Sequence, residues 1–366
     1  MNGTKPLRAA LIGYGLGGAA FHAPFLAALP EYELAAVVTG NADRAAAVRA
    51  RYGEVTEVIG ASDELFARAG EFDVAVVTVP NRFHAPVARA ALEAGLNVVV
   101  DKPFAGSVEE GRALAALARA RGRMLCVFQN RRWDGDFRTL RNLVEAGELG
   151  AVLRYESRFE RWRPEPVLDA WKEDADPAAL GGILYDLGSH LVDQAVALFG
   201  RPERVYAELD RSRPGVAVDD DSFLALTHTG GERAHLWMSA TAADLGPRLR
   251  VLGTKAAYVK HGMDVQEAAL RAGGAPGAEG WSAEAWGVEA SESWGQLGTP
   301  EQARHVPTLP GAYQDFYRAV AATLREGAPQ PVPLAESIAV LEVIEAAQRS
   351  SREGVVVELG EARGVG

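Results

Sequence analysis

The sequence predicts an α/β protein. An N-terminal doubly wound parallel sheet is followed by a C-terminal α+β domain with a large, open, mostly antiparallel sheet. In the first third, short apolar runs alternate with helical patterns, which is typical of parallel strands connected by helices. From about residue 150, long stretches of alternating polar and apolar residues indicate antiparallel strands with one free face. We place the domains at 1–128 and 129–366, and the last helices could pack back on the first domain.

The composition is typical of a globular protein and disfavours several kinds of partner and site. The chain has 366 residues, of which 48% are hydrophobic and 24% charged, as expected for a globular protein of about two domains. Its net charge of −11 disfavours nucleic acid and anionic membranes as partners. The single cysteine, Cys126, excludes an intramolecular disulfide and a cysteine metal cluster. Residues 1–8 lack the apolar stretch of a signal peptide, and no run could span a bilayer, so we expect a cytoplasmic protein.

The first predicted strand, 7–12, leads into a glycine-rich turn and a helix over about 17–29. Gly13, Gly15 and Gly18 fit the pattern G-x-G-x-x-G between a strand and a helix. The first glycine permits the tight turn, the second lets a pyrophosphate approach the backbone, and the third lets helix and strand pack closely. The pattern predicts a dinucleotide site, with Tyr14 of the same turn as a further contact.

The end of the second predicted strand, 34–38, bears on the choice of dinucleotide. An NAD site usually has Asp or Glu there to bind the ribose hydroxyls. This chain has Thr39 and Asn41 instead, and Arg44 could pair with a 2′-phosphate. These residues favour NADP over NAD. Arg44 could also be a solvated residue of the helix predicted over 43–52, where Asp43 would be the N-cap or a first-turn acid.

Three more helix and strand patterns complete the first domain. We predict strands over 74–79, 97–100 and 125–128, and helices over 63–69, 83–94 and 108–121. Ser107 is the expected N-cap of the last helix. Pro80, Asn81 and His84 follow the strand at 74–79 and could line the cofactor, although His84 could equally be a helix-capping or surface histidine.

The stretch 98–103, Val-Val-Val-Asp-Lys-Pro, predicts a buried parallel strand that ends at a crevice. Ligands of open α/β sheets bind outside the carboxyl ends of the strands, which is where Lys102 would lie. Its ammonium suits the binding of an oxygen atom or the relay of a proton. Pro103 could form a cis bond that orients Lys102. The alternative is a Lys-Pro turn that merely leaves a sheet.

The C-terminal half contains the antiparallel pattern. Strands are predicted over 152–159, 204–210, 221–229, 234–240, 248–252, 256–260 and 355–359, and helices over 313–325 and 334–350. Gly230-Gly231 and Gly253-Thr254 are candidate hairpin turns. Residues 262–310 are rich in Gly, Ala, Glu and Trp and show no clear period, so we interpret them as a lid or an oligomer contact.

A helix that begins at about residue 184 carries a second polar group. Asp186 and His190 are four positions apart and share one face, with Asp193 near it. A carboxylate beside an imidazole orients the ring and stabilises its charged form, which suits a general base. A buried hydrogen-bonded pair is equally compatible with this spacing. A metal site is a third alternative, although no second histidine or cysteine has ligand spacing here, and we expect no metal.

Together these motifs resemble the Gfo/Idh/MocA family of NAD(P)-dependent dehydrogenases over nearly the whole chain. The likeness within the family is to NADP-dependent scyllo-inositol 2-dehydrogenase-like members. It rests on the glycine pattern, on Asp101-Lys102-Pro103 where the family has Glu-Lys-Pro, on Asp186-x-x-x-His190, and on the stretches 21–24, 130–137, 161–164 and 184–194. Because Asp101 is one methylene shorter than Glu, the partner of its carboxylate is an open question.

The resemblance implies a Rossmann domain, a C-terminal domain with an open sheet, and homodimers or homotetramers built on that sheet. It also implies Lys102, Asp186 and His190 as the catalytic group, with Asp101 beside the cofactor. The hypothesis is hydride transfer between a secondary carbinol of an inositol, polyol or sugar and the nicotinamide. Five residues are candidate contacts to the other substrate hydroxyls: Asn130, Arg131, Trp162, Arg163 and Lys172. Each of these residues could instead be a surface or packing residue.

Two other hypotheses remain open at this point. The same scaffold could reduce an imine, a tetrapyrrole or the anomeric carbon of an aldose. A regulator that binds NADP without turnover is also compatible with the fold, because one fold serves many functions.

Overall fold

The computed structural model describes residues 5–167, 176–276, 282 and 284–360. Lys172, a predicted substrate contact, lies outside the described residues. The described chain forms two units. The first contains the described residues of 1–130, 266–286 and 312–334, and the second contains those of 131–265, 287–311 and 335–366. Each unit is built on one β-sheet.

The sheet of the first unit has six parallel strands. They are β1 (Leu7–Ile12), β2 (Tyr32–Val38), β3 (Glu57–Ile59), β4 (Val74–Val77), β5 (Asn97–Val100) and β6 (Leu125–Val127). Their order is β3-β2-β1-β4-β5-β6, and every pairing is parallel. The strand order changes direction between β1 and β4, where doubly wound sheets bind dinucleotides. The prediction of a doubly wound parallel sheet is therefore confirmed.

One strand of this sheet was not predicted. β3 has only three residues, and of these only Ile59 is buried. Three residues are too few to show the alternation that identifies a strand. The other five strands agree with the predicted ranges to within about two residues.

The sheet of the second unit has nine strands. They are β7 (Val152–Glu160), β8 (Pro202–Asp210), β9 (Asp221–His228), β10 (Arg233–Ser239), β11 (Leu249–Gly253), β12 (Ala257–Lys260), β13 (Gly295–Gly298), β14 (Ala303–Val306) and β15 (Val357–Glu358). Their order is β14-β13-β12-β11-β7-β10-β9-β8-β15. β10 is parallel to β7, and every other pairing is antiparallel. A mostly antiparallel sheet is confirmed, including a hairpin at Gly230-Gly231 between β9 and β10.

Helices connect and cover the strands. The α-helices are α1 (Ala23–Ala28), α2 (Ala42–Tyr52), α3 (Ser62–Ala67), α4 (His84–Glu93), α5 (Val108–Ala120), α6 (Gly135–Glu145), α7 (Ser189–Phe199), α8 (Gln266–Arg271), α9 (Tyr313–Glu326) and α10 (Leu334–Glu353). Two π-helical segments, Gly17–His22 and Leu184–Gly188, lead directly into α1 and α7. Single 3-10 turns occupy Gly53–Val55, Ala69–Glu71, Asn81–Phe83, Asn130–Trp133, Pro177–Ala179 and Ser291–Ser293. None of the helices described has the length and apolar character needed to cross a bilayer.

One face of the nine-stranded sheet forms the core of the second unit. Along β9, buried and half-buried residues alternate at every position, as a strand with one covered face requires. The covered face supplies apolar side chains such as Tyr155, Leu224 and Leu236. They join residues of α7 and α10, such as Leu191 and Val343, in one buried cluster.

Part of residues 262–310 has regular structure that was not predicted, while their interpretation as a lid or an oligomer contact stays a prediction. This stretch contains α8 and the hairpin of β13 and β14, which extends the sheet beyond β12. Gly295 and Gly298 interrupt the alternation of polar and apolar residues by which β13 could have been predicted. A Cβ at Gly295 would lie 2.5 Å from the ring of Tyr258, so only glycine lets the two strands pack closely here.

Buried ion pairs join the helices of the second unit. The Nε and Nη2 atoms of Arg132 donate to the two carboxylate oxygens of Asp193, at 2.8 and 2.6 Å. Nη1 donates to Glu336 of α10 at 2.6 Å. Burial raises the pKa of Asp193, and the charge and hydrogen bonds of Arg132 oppose that shift. One guanidinium thus connects the start of this unit to α7 and α10.

We predict that Arg132→Ala destabilises the second unit by about 3–5 kcal/mol, because it leaves the buried Asp193 carboxylate without its cation. Arg304→Ala is the matched control, since it breaks the exposed pair with Glu148 and should cost less than about 1 kcal/mol. Urea unfolding followed by circular dichroism measures both. Equal midpoints for the two variants would contradict the prediction.

Candidate active site

The glycine turn after β1 has the geometry of a dinucleotide site. Gly13 has φ of +105°, and a Cβ there would lie 2.4 Å from the carbonyl oxygen of Thr78. A Cβ at Gly18 would lie 2.3 Å from the carbonyl oxygen of Gly13. At Gly15, by contrast, no atom lies within 4 Å of an added Cβ. Two glycines therefore allow close packing, while Gly15 leaves open backbone that a pyrophosphate can approach. The residues present fit a dinucleotide.

The end of β2 presents polar groups and a cation. The Asn41 side chain accepts a hydrogen bond from the Arg44 backbone N–H at 2.9 Å, so Asn41 caps α2. The Asn41 N–H in turn donates to the Thr39 hydroxyl at 3.3 Å. Asp43 lies in the first helical turn and is not the N-cap. The Arg44 side chain is exposed, and no described residue hydrogen-bonds its guanidinium.

Tyr14 is buried beside this site. Its side chain lies near that of Tyr52 at the end of α2. Burial raises the pKa of the Tyr52 phenol, and the Tyr14 contact adds to the shift. The Tyr52 phenol therefore stays neutral at physiological pH.

The ends of β4 and β5 carry the predicted Lys102 site. Asn81 is buried, Pro80 is exposed and Lys102 is half-buried. The peptide bond between Lys102 and Pro103 is cis, in agreement with the sequence analysis. β5 lies next to β4, and β4 lies next to β1. The loop of residues 101–103 (the Lys102 loop) and the glycine turn therefore lie at the same end of the parallel sheet, beyond the carboxyl ends of its strands.

His84, predicted as a cofactor contact, has a different environment. Its side chain is 1% exposed. Nδ1 lies 2.7 Å from the carbonyl oxygen of Pro103, and Nε2 lies 2.7 Å from that of Val79. Burial lowers the pKa of His84, which the Asp101 charge and the two carbonyls partly offset. Both ring nitrogens therefore contact the backbone of the fold, and neither is offered to a ligand.

Asp101, also predicted beside the cofactor, likewise contacts protein groups. Oδ1 lies 3.0 Å from Nε2 of His22, and the Thr78 hydroxyl donates to the same carboxylate. Burial by itself raises the pKa of Asp101. The charge and hydrogen bond of His22, with smaller effects of His84 and Thr78, outweigh burial and lower this pKa to about 2. His22 is thus the partner of the carboxylate that is shorter than in the family motif.

His22 and Tyr317 were not among the site residues predicted from the sequence. His22 is fully buried, and its Nδ1 lies 2.5 Å from the Tyr317 hydroxyl. Tyr317 lies in α9, 295 positions further along the chain. Two features of the sequence pointed to His22: it is a histidine inside the otherwise apolar stretch 21–26, and it belongs to the stretch 21–24 that carries the family resemblance.

In the second unit, the helical segment from Leu184 positions Asp186 and His190. Two residues before it, Gly182 has a φ of +92°, and a Cβ there would lie 2.1 Å from the Asp219 carboxylate. That carboxylate accepts from the Leu184 N–H at 2.7 Å and from the Ser222 hydroxyl at 3.1 Å. Asp186 is half-buried and His190 is 7% exposed. Their four-residue spacing keeps them on one side of the helical segment.

Behind His190, α7 is anchored by a buried polar network. Asp193 binds Arg132, as described above. The Gln194 side chain donates to the carbonyl of Arg131 at 2.9 Å and accepts from Arg248 at 2.7 Å. Arg248 also pairs with Asp136 at 3.2 Å. Asp193 therefore stabilises the helix and is not paired with His190.

The predicted substrate contacts fall into two groups. Asn130 and Arg131 are buried, and the Arg131 guanidinium lies over the Phe159 ring at 4.6 Å. Trp162 and Arg163 are exposed, and Trp162 forms an isolated β-bridge with Thr241. Within the described ranges, no three His, Cys, Asp or Glu side chains are grouped so as to bind a metal ion.

Comparison with known proteins extends these observations. Residues 7–129 match the oxidoreductase family, NAD-binding Rossmann fold, of Gfo/Idh/MocA proteins, and residues 141–359 match its C-terminal alpha/beta domain. Uncharacterized oxidoreductase YdgJ of Escherichia coli (strain K12) is 40% identical over 94% of this chain and 96% of YdgJ. The scyllo-inositol 2-dehydrogenase (NADP(+)) IolW of Bacillus subtilis (strain 168) is 35% identical over 95% of this chain and 94% of IolW.

The solved structure of yvaA from Bacillus subtilis has a TM-score of 0.89 and 34% identity, and the match covers 97% of this chain and 98% of yvaA. Both units are thus matched by the family, and the first has the glycine geometry of a dinucleotide site. The chain belongs to the Gfo/Idh/MocA family of oxidoreductases, with an NAD(P)-binding Rossmann domain and a C-terminal α/β domain.

Proposed function

We propose that this oxidoreductase is a dehydrogenase that transfers hydride reversibly between the nicotinamide of NADP and a secondary carbinol of an inositol, polyol or sugar. The observation that carries the proposal is the position of Lys102 at the carboxyl end of β5, on the same sheet edge as the open Gly15 backbone. A cation there can bind the oxygen of a substrate. The name of the relative IolW, a scyllo-inositol 2-dehydrogenase, supports the substrate class.

In the proposed mechanism, Lys102, Asp186 and His190 are the catalytic residues. The dinucleotide, when bound, supplies the hydride acceptor at C4 of its nicotinamide. His190 accepts the proton of the carbinol hydroxyl, and Asp186 orients the imidazole and stabilises its charged form. Lys102 donates a hydrogen bond to the carbinol oxygen and stabilises the negative charge that develops there. Asn130, Arg131, Trp162, Arg163 and Lys172 are proposed contacts to the remaining hydroxyls.

The preference for NADP rests on the end of β2. The ribose-binding carboxylate of an NAD site is replaced by Thr39 and Asn41, and the exposed Arg44 can pair with a 2′-phosphate. The turn of Gly13, Gly15 and Gly18 would hold the pyrophosphate at the open backbone of Gly15, with Tyr14, Pro80 and Asn81 as further contacts.

We also propose that the protein forms homodimers or homotetramers through the uncovered face of the nine-stranded sheet. This face carries a half-buried aromatic group in which Phe223 and Trp237 lie 5.1 Å apart, with the Arg158 guanidinium 4.0 Å from the Trp237 ring. Aromatic and arginine side chains are enriched at protein interfaces.

Sedimentation velocity should give the mass of a dimer or tetramer, and a monomer at micromolar concentration would contradict this proposal.

A substrate panel tests the function directly. Inositol isomers, aldoses, glycosides and polyols are incubated with NADP or NAD, and reduced dinucleotide is followed by absorbance. Glycosides belong in the panel because D-glucoside 3-dehydrogenase of Escherichia coli (strain K12) is 32% identical over 54% of this chain. Imines and tetrapyrroles are incubated separately with NADPH, and turnover restricted to them would favour another reductase. Tight NADPH binding without turnover of any compound would favour a regulator.

Lys102→Ala and His190→Ala should each lower kcat by about 10²–10⁴-fold, because each removes a group that acts on the carbinol oxygen or its proton. The dissociation constant for NADPH, measured by fluorescence titration, should remain near that of the wild type. Lys255→Ala and His305→Ala are matched controls, since both side chains are exposed. Near-normal turnover of either site variant would refute its assigned role.

Arg44→Ala should weaken NADPH binding by about 10–100-fold, the usual effect of losing hydrogen bonds to a charged group. NADH binding should not change, because NADH lacks the 2′-phosphate. Arg49→Ala, exposed on the same helix, is the control. Isothermal titration calorimetry with both dinucleotides measures the ratio of the affinities, and a parallel loss of NADH and NADPH affinity would argue against a phosphate contact.

A further inference from the structure

Two buried histidines contact the residues on either side of Lys102. Before it, the Asp101 carboxylate lies 3.0 Å from Nε2 of His22. After it, the carbonyl oxygen of Pro103 lies 2.7 Å from Nδ1 of His84. His22 is fully buried and His84 is 1% exposed. Neither imidazole has a role in the proposed mechanism, and both contact the Lys102 loop.

The orientation of the His22 ring is determined from its other side. The Tyr317 hydroxyl lies 2.5 Å from Nδ1, and the Tyr32 hydroxyl donates to the Tyr317 carbonyl at 2.6 Å. Burial raises the pKa of the Tyr317 phenol, so this hydroxyl keeps its proton. In the neutral ring, a phenol that donates to Nδ1 leaves the ring proton on Nε2, which faces Asp101. In that form of the ring, the Tyr317 hydroxyl donates to His22 and His22 donates to Asp101, whereas in the charged ring Nδ1 donates to the Tyr317 oxygen instead.

His84 connects the ends of two neighbouring strands. Val79 follows β4 and Pro103 follows β5, and their carbonyl oxygens lie 2.7 Å from the two ring nitrogens. A displacement of either loop lengthens one of these contacts. The buried ring leaves little room for such a shift, since packed interiors deform only at a cost in free energy.

We infer that His22 and His84 are positioning residues for Lys102, one on each side of it, and that Tyr317 acts through His22. This inference rests on the proposed catalytic role of Lys102. The lysine side chain is long and flexible, so a fixed backbone on both sides restricts where its ammonium can lie. Because a misplacement of about 1 Å can cost about 100-fold in rate, such restriction affects turnover more than binding.

The test compares two replacements at each histidine. His22→Phe and His84→Phe keep a ring but remove both nitrogens, and His22→Gln and His84→Gln restore a donor. The Phe variants should lower kcat by about 100-fold, with the dissociation constant for NADPH nearly unchanged, and the Gln variants should recover part of the loss. His305→Phe, at an exposed histidine, is the matched control and should behave as the wild type.

A second measurement does not depend on turnover. Acetic anhydride labels amines of the full-length protein, and mass spectrometry gives the rate at Lys102 relative to the exposed Lys255. Release of the Lys102 loop should raise the relative rate at the half-buried Lys102 several-fold in the Phe variants. Tyr317→Phe, which keeps the ring packing against Phe25 and Phe128, should show a smaller increase and covers the case in which a histidine variant does not fold.

The outcomes separate the two proposals. Unchanged kcat and unchanged Lys102 labelling in folded His22 and His84 variants would overturn the positioning role. An equal kcat loss in the Phe and Gln variants, without a change in labelling, would also overturn it. If Lys102→Ala retains turnover, the proposed function fails, while the labelling rates still decide whether the two histidines position this loop.

Discussion

A carboxylate that is partly shielded from water is stabilised by a donor beside it, and the loop at the end of β5 depends on such a contact. The Asp101 side chain is 23% exposed and contacts His22 and Thr78. His22 in turn contacts Tyr317, and His84 contacts the backbone after Lys102. The donors replace the hydration that the carboxylate loses on partial burial. The geometry around Lys102 therefore follows from satisfying one partly buried anion, and the chemistry proposed for this end of the sheet uses a lysine whose neighbours are already fixed.

The second unit shows the same principle with a different residue. Arg132 and Arg248 lie in the interior, and each binds a carboxylate together with further partners. These contacts anchor α7, the helix that carries His190. The network is polar, directional and largely buried, so it favours one arrangement of α6 and α7 over near alternatives. His190, the general base of the proposed mechanism, therefore lies on a helix whose position is fixed by these contacts.

Local patterns were sufficient for much of this structure. Ser107 was predicted as the N-cap of α5, and its hydroxyl accepts a hydrogen bond from the Glu110 N–H at 3.1 Å. The three glycines of the first turn also have the environments that their spacing indicates. Contacts between residues far apart in the chain could not be predicted from the sequence. The contact of His22 with Tyr317 spans 295 positions, and no local period encodes it. β13 was missed because Gly295, which allows close packing of Tyr258, and Gly298, which lies against the backbone of Gln302, interrupt the strand pattern.

The discontinuity of the first unit has a consequence for the order in which the chain folds. Phe25 and Trp286 rings lie 6.3 Å apart, and Tyr32 and Tyr317 rings 5.6 Å apart, so this unit is completed by residues near the C-terminal end. During synthesis, the six-stranded sheet leaves the ribosome long before the aromatic side chains that cover α1. Until α9 has been synthesised, the nascent first unit exposes this apolar surface to solvent. A fragment that ends after β6 would expose it permanently.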